Sequence, residues 1–263
     1  MKFLFLNFFG EKAYAELYSS FQVWRLKRGK GKYWEPEINL LPHFVHPGDI
    51  VIDIGANLAQ YTYFLSKLVG PSGKVFAFEP MKYTFKILQR IVKKLKLENV
   101  ELKNIALGEK EGELEFILPF NNFGLKDVYT SHLYTQEENT KGTIEKVQVV
   151  TLDKFWQRFP ILEKTTFLKC DVEGQELLVF KGAKTFLSQC QPVILCEIEK
   201  RYTKRYGYSP KDLFNFLRNF GYKAFVFVSN KLVPTYGIYE IFNKILNNYV
   251  FIPPNLVSKF NQE

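Results

Sequence analysis

Cysteine is scarce. There are three in 263 residues, Cys170, Cys190 and Cys196, an odd number with no C-x-x-C pair. That excludes a disulfide framework and a thiolate zinc motif. Cys170 and Cys196 sit in apolar strand patterns and read as buried thiols of a reducing compartment, so a cytoplasmic location is the expectation. No apolar run is long enough to span a bilayer. The apolar stretch over 3–9 is short for a secretory leader and is broken by Asn7, with Ala13-Tyr14-Ala15 the nearest approach to a cleavage site. It reads as an amphipathic helix that packs on the domain or makes a peripheral contact with a membrane surface. Internal repeats and low-complexity segments are absent. So is a G-x-G-x-x-G run, whose second glycine lets a backbone approach a pyrophosphate.

What is present is basic and aromatic. The formal net charge is +9, and aromatic residues make up 17% of the chain. The lysines are scattered, which favours a solvated surface over a nucleic-acid stripe. The densest run, 25–32, is placed to touch a membrane or a polyanion. Residues 1–47 read as a mainly helical N-terminal extension, and 48–263 as one α/β domain in which strands and helices alternate. Strands are expected over 50–54, 74–78, 100–104, 166–170, 192–198, 223–228 and 249–252. Helices are expected to about 68, over 81–95 with Phe85, Leu88, Val92 and Leu95 on one face, from 174 to 187, and from Ser209-Pro210 to Phe220. Two further strands, near 112–118 and 146–152, flank a polar loop over 119–145 that reads as a lid, a substrate loop or an insertion.

The segment Asp49-Ile-Val-Ile-Asp-Ile-Gly-Ala-Asn57 is a buried strand entering a glycine turn and a helix. Glu79 ends the second strand, where a nucleotide-binding α/β unit holds ribose hydroxyls. Asn57 stands where a dinucleotide site needs its second glycine, and Asp53 repels phosphate but suits a cation. S-adenosyl-L-methionine has a sulfonium, an ammonium, a carboxylate and a ribose, but no phosphate. Asp53 is expected on its ammonium side, and the amides of Gly55 and Asn57 at its carboxylate. Six acids fall at strand ends: Asp53, Glu79, Asp171, Glu173, Glu197 and Glu199. Burying them together is costly without a ligand, a cation or protons.

The chain resembles the FkbM-type family of S-adenosylmethionine-dependent methyltransferases. The matching pieces are Trp34-Glu-Pro-Glu37, Pro47-Gly-Asp49 leading into Val51 to Asn57, Tyr61-Thr62, and Gly70-Pro-Ser-Gly73 to Glu79-Pro80. Asn104-Ile-Ala106-Leu-Gly108, Thr151-Leu-Asp153, Lys169-Cys-Asp171-Val-Glu173-Gly174-Gln-Glu176 and Gly182-Ala183 follow in order. The resemblance covers about 34–227. It implies a class I methyltransferase fold, a doubly wound, mostly parallel sheet into which the last strand inserts antiparallel. It implies that Asp53, Gly55, Asn57 and Glu79 line the cofactor, with Ala56, Tyr61, Thr62 and Pro80 beside them. Asn104 and Ala106 flank the adenine, and Asp171 lies near the methyl-transfer centre. Two positions depart from the pattern: Ala59, where glycine is common, and Glu199, where many relatives carry histidine.

The activity so implied is O-methylation of a hydroxyl on a sugar, glycan or natural product. Among Asp171, Glu173, Glu197 and Glu199, the pair Asp171 and Glu197 is favoured as the base, because adjacent strand ends bring them together. His132 is the outsider. A Mg²⁺ ion on these carboxylates is the alternative to hydrogen-bonded carboxylates without metal, and the metal-free arrangement is preferred. Glu173 and Glu176 are expected in the first turn of a helix, where acids favour the dipole. The rival functions are a nicotinamide-dependent oxidoreductase, which lacks its pyrophosphate loop here, and a nucleic-acid binder or modifier. For the latter, Ile252-Pro-Pro-Asn255 does not match the N-P-P-Y motif of base amino-methylating enzymes.

Overall fold

Residues Ile50–Ile54 are four branched aliphatics and one aspartate, buried along their whole length. Such a strand is stable only with both faces covered, which is the condition of a central parallel strand. In the computed structural model, which describes residues 2–29, 35–121, 124–134, 140–229, 231–235 and 247–260, this strand (β1) lies inside an eight-stranded sheet. β2 (Lys74–Phe78) and β3 (Val100–Lys103) pair parallel on one side of it. Further along the chain come β4 (Ala106–Leu107), β5 (Gly112–Pro119), β6 (His132–Leu133) and β7 (Gly142–Val150). The main sheet then resumes with β8 (Thr165–Cys170), β9 (Val193–Glu197), β10 (Lys223–Val228), β11 (Lys231–Pro234) and β12 (Asn248–Ile252).

Its order is β11-β10-β12-β9-β8-β1-β2-β3. The five strands from β3 to β9 are parallel, and β12 enters antiparallel between β9 and β10, as the resemblance implies. The hairpin partner β11 at the edge was not foreseen. β4, β7, β5 and β6 form a separate four-stranded sheet, whose long β5–β7 pairing is antiparallel. The two expected strands around residue 130 therefore belong to a sheet of their own rather than to the main one.

The α-helices of the described residues are α1 (Lys2–Arg28), α2 (Leu41–Phe44), α3 (Gln60–Val69), α4 (Lys82–Leu95), α5 (Leu152–Arg158), α6 (Glu176–Lys181), α7 (Lys184–Cys190), α8 (Lys200–Thr203), α9 (Pro210–Arg218) and α10 (Val257–Phe260). α4 buries Ile87, Leu88, Ile91 and Leu95, whereas Phe85 and Val92 are only partly covered, so its inward face is turned from the one read off the sequence. The reason is a second covering layer. α1 lies along α4, with Ala15 and Leu26 in the same apolar cluster and Glu16 bonded to Lys94 at 2.5 Å. On the outer side of α1, Leu17, Phe21 and Trp24 are about half exposed, and the Arg28 guanidinium sits over the Trp24 ring. This is the face on which a peripheral membrane contact would have to rest. Among the described residues, no helix is long and apolar enough to cross a membrane.

The helix expected from 174 to 187 is two helices, broken at Gly182-Ala183. A Cβ on Gly182 would stand 2.0 Å from the Gly108 carbonyl oxygen. Asp153 then starts α7 from outside, accepting the N–H groups of Thr185 (3.1 Å) and Phe186 (2.8 Å). α9 begins as expected, with Ser209 and Asp212 forming a capping box.

Candidate active site

Strand register sets the site. Ile54 pairs with Phe78 and with Cys170, and Cys170 pairs with Cys196, so these strands end level. The next residues, Gly55, Glu79, Asp171 and Glu197, therefore stand along one rim, where open α/β sheets bind ligands. They line a cleft that is open to solvent. Ile54, Phe78, Ile105, Ala106, Leu107 and Phe116 make one wall apolar, while Glu35, Ser131, Asp171, Glu173, Gln175 and Glu197 make the other polar. Apolar side chains beside a buried acid suit a nucleoside.

Gly55 has φ +82, and a Cβ there would lie 1.8 Å from the Asp171 carbonyl oxygen, so only glycine fits. Asn57 is left-handed at φ 46, its amide donates to Glu79 Oε2 at 3.1 Å, and its Nδ2 donates to the Val128 carbonyl at 2.8 Å. Asn57 lines the cleft, and its side-chain oxygen is buried without a hydrogen-bond partner. Ala59 is left-handed too, at φ 65, and caps α3, a conformation that glycine adopts more readily than alanine. Glu79 is 3% exposed and accepts a second bond from the Met81 amide at 3.0 Å. Burial pushes its carboxyl up to about 8. Pro80 and Ala106 line the cleft, and Ala56 and Tyr61 line a smaller hollow that adjoins it.

Several expectations need correction. Asp53 does not end its strand. It pairs inside β1 opposite Ala77 and Lys169, is 2% exposed, and accepts the Thr62 hydroxyl at 2.5 Å. Burial raises its carboxyl to about 6. Thr62 thus supports Asp53 and lines neither hollow. Asn104 also stands behind the wall, donating to the carbonyls of Glu79 (2.9 Å) and Pro80 (2.8 Å). The Gly55 amide goes to the Phe78 carbonyl at 3.0 Å and the Asn57 amide to Glu79, so neither points at a ligand carboxylate. Glu199 turns away, pairing with Arg201 and accepting from Asn247 at 2.7 Å. Glu173 lies before α6 at φ 56 rather than inside it and lines the cleft, its carboxyl lifted by burial to about 8. Glu176 does open the helix, and it holds the preceding loop through the amides of Val172 (3.1 Å) and Gly174 (3.0 Å). His132 is buried at the β5–β6 pairing and lines neither the cleft nor the hollow.

The group not foreseen is Lys169. It is 1% exposed, inside β8, with its ammonium 3.2 Å from Asp171 and 4.8 Å from the centre of the Tyr61 ring. The nearby carboxylates, Asp171 foremost, hold it charged despite burial. Asp171 in turn is held below its ordinary range by that ammonium against the opposing effect of burial. The anion so fixed pushes Glu197 up to about 10, and Glu197 and Asp171 are hydrogen-bonded to each other. The trio thus sets a buried ammonium beside one carboxyl held low and another held high. The sequence signal was there: a lysine in the apolar strand Thr165–Cys170, two residues before an aspartate and therefore on its face. Glu35 was quoted without a role; it accepts from Tyr61 at 2.5 Å and from Gln60 at 3.1 Å. Among the described residues, no three His, Cys, Asp or Glu side chains are grouped to hold a metal ion.

Buried acids give a pH signature. Asp53, Glu79, Glu173, Glu176 and Glu197 are all raised, so each keeps its proton in the folded chain where the unfolded chain has lost it. Stability from these groups is present at low pH and is lost as pH rises through their folded values. The melting temperature of the ligand-free protein is expected to fall by several degrees, on the order of 5 °C, between pH 6 and pH 9. A flat or rising profile in thermal denaturation would contradict this.

The doubly wound sheet with an antiparallel insertion, and a cleft with a buried acid at its strand ends, are those of the class I methyltransferase fold. The family model of the Methyltransferase FkbM domain matches residues 53–224, and the chain belongs to that family. It is similar to "Methyltransferase 1" of Beauveria bassiana, 27% identical over 143 residues, which cover 50% of this chain and 57% of that protein. It is also similar to the "Hexuronic acid methyltransferase AglP" of Haloferax volcanii, 26% identical over 193 residues, 73% of this chain and 70% of that one. Among solved structures, the Methyltransferase FkbM of Methylobacillus flagellatus shares the fold at a TM-score of 0.50 and 15% identity, over 82% of this chain and 50% of that chain. The chain thus spans little more than half the length of the fungal relative and half that of the bacterial one.

Proposed function

We propose that this chain methylates a hydroxyl oxygen of a sugar or similar polyhydroxylated acceptor, with Asp171 taking the proton. The observation that carries this reading is the cleft lined by Glu79 together with Asp171 and Glu197, with the Lys169 ammonium 3.2 Å from Asp171. Glu79 would accept both ribose hydroxyls, Ile105 and Ala106 would flank the adenine, and Asn57 would offer its unpartnered oxygen. When bound, S-adenosylmethionine supplies an electrophilic methyl on a sulfonium. The acceptor oxygen forms the new C–O bond as the C–S bond breaks, and the electron pair stays on the sulfur of S-adenosylhomocysteine.

Methylation makes the acceptor oxygen strongly acidic as the bond forms. A weak but well-placed base is then sufficient, because alignment supplies much of the rate. Asp171 meets that need: Lys169 keeps it anionic, and Glu197 fixes its direction by donating to it. The similarity to a hexuronic acid methyltransferase supports a sugar as the acceptor class.

The test is methyl transfer, followed by mass spectrometry, to a panel of free sugars, uronic acids and their glycosides. Transfer to oxygen is expected for at least one member. In Asp171→Asn, turnover on that acceptor should fall roughly 100- to 10,000-fold, while donor affinity changes little. Transfer to nitrogen or carbon acceptors alone, or an Asp171→Asn variant of near wild-type turnover, would overturn the reading.

A further inference from the structure

We propose that the outer face of α1 is a docking surface for an anionic lipid bilayer. The helix lies flat in the headgroup region, with Leu17, Phe21 and Trp24 at the acyl boundary and Lys27 and Arg28 among the phosphates. The methyl donor and acceptor play no part in this contact.

α1 has two faces with different tasks. Ala15, Ser19, Gln22 and Leu26 are buried against the domain. Gln22 donates to the Leu58 carbonyl at 3.0 Å and Lys94 donates to Glu16 at 2.5 Å, so the helix is fixed without help from its other side. On that other side Leu17, Phe21 and Trp24 follow at steps of four and three, which puts them in one stripe. Each is about half exposed. The Phe21 and Trp24 rings stack with centroids 5.7 Å apart and 28° between their planes, a continuous aromatic plate. A helix that only covered α4 would carry polar residues there. Single exposed apolar side chains are ordinary, but three adjoining ones mark a contact.

Charge decides what the contact is. Lys27 and Arg28 are exposed at the end of the stripe, and the Arg28 guanidinium lies 4.6 Å from the centre of the Trp24 ring. In sequence Lys30 and Lys32 follow, outside the described residues. Among the described side chains of α1 the exposed acid is Glu16, and it is paired with Arg90 (3.6 Å) and Lys94, so it opposes no phosphate. Tryptophan and phenylalanine on the apolar side, with arginine and lysine beside them, suit a helix that lies on a phosphate-bearing surface. A second copy of the chain is a poorer occupant. A two-fold contact would set these cations against their own copies, on a chain of net charge +9. The docked face also lies beside the site, because the Tyr18 hydroxyl donates to that of Tyr129 at 3.3 Å and Tyr129 lines the cleft. The bound enzyme thus holds its cleft close to the bilayer.

The test uses the full chain and vesicles of phosphatidylcholine, alone or mixed in equal parts with phosphatidylglycerol, read by co-sedimentation and tryptophan emission. Wild type is expected to bind the anionic vesicles roughly 30-fold more tightly than the neutral ones, about a factor of five for each of the two cations. Its emission should shift to the blue on binding, and Trp24→Phe should bind with most of that shift gone. Leu17→Ser/Phe21→Ser/Trp24→Ser should weaken vesicle binding about 100-fold or more. Lys27→Glu/Arg28→Glu should abolish the preference for anionic vesicles. Both variants should melt within a few degrees of wild type. Wild type that stays in the supernatant with both kinds of vesicle would overturn the proposal. So would equal vesicle binding by wild type and a folded triple-serine variant, or a lipid-free dimer that the triple-serine change dissolves, which would give the face to a second copy. If the triple variant fails to fold, the charge-reversed pair decides alone: an undiminished preference for anionic vesicles overturns the proposal.

Discussion

Lys169→Met is expected to lower the melting temperature by roughly 6 to 12 °C and to remove most activity at neutral pH. Lys169 is fully enclosed and its nearest partner is Asp171, so its loss leaves a carboxylate inside the protein without its counter-charge. Breaking a buried pair from one side costs about 3–5 kcal/mol, far more than an exposed pair is worth. For a chain of this size each kcal/mol moves the midpoint by roughly 2–4 °C. Activity falls for a linked reason. The ammonium is what holds Asp171 below its ordinary range, while burial works in the opposite direction. Without it Asp171 takes up a proton at neutral pH and can no longer accept one. The acid limb of the pH–rate profile should therefore move upward, and part of the lost rate should return in alkaline buffer.

A structural lesion alone would not move that limb. The double variant Lys169→Met/Asp171→Asn supplies a second check. Removing both charges removes the unpaired carboxylate, so about half or more of the lost stability should be regained, a coupling that only directly interacting residues show. Additive losses in the double variant would mean that the pair does not act as the geometry indicates.

The second large effect concerns the donor. Glu79→Ala is expected to weaken S-adenosylmethionine about 1,000-fold. Burial keeps the Glu79 carboxyl protonated up to about 8 in the ligand-free protein, so the full loss is expected above that pH, where two hydroxyl-to-carboxylate bonds, each worth roughly 1.5–3 kcal/mol, are removed. The buried carboxylate also fixes the turn, since the amides of Asn57 and Met81 both end on it. Glu79→Gln keeps an acceptor oxygen for one of those amides and should lose less, about 30-fold, because a neutral acceptor makes weaker bonds. Equal losses in the two variants would show that the charge at Glu79 is irrelevant to binding.

The main sheet was legible because its signals are local. Five parallel strands announced themselves as apolar runs ending in Gly55, Glu79 and Asp171, and the Ser209–Asp212 box marked the start of α9. What the sequence hid is set by register and by distant partners. Asp53 read as a strand end, yet its pairing with Ala77 and Lys169 places it one residue inside, on the wall of the smaller hollow, where it accepts the Thr62 hydroxyl. The turn amides read as anion donors, but the Phe78 carbonyl and the Glu79 carboxylate claim them, and both come from β2 and its exit. Glu199 shares its strand-end position with the other acids and differs only in direction, which Arg201 and Asn247 decide. Glu35 lines the cleft and accepts from Gln60 and Tyr61 of a later helix, a contact that no spacing in the chain announces. Lys169 was the readable omission: a charged residue in an apolar strand must have a partner, and Asp171 was two positions away.

The central claim is that the cleft at these strand ends holds S-adenosylmethionine. Its most direct test is calorimetric titration of the wild-type protein with S-adenosylmethionine and S-adenosylhomocysteine, with NAD run in parallel. The account predicts one-to-one binding of both adenosyl compounds in the micromolar range and none of NAD. A folded protein that takes neither, or that takes NAD instead, would contradict it.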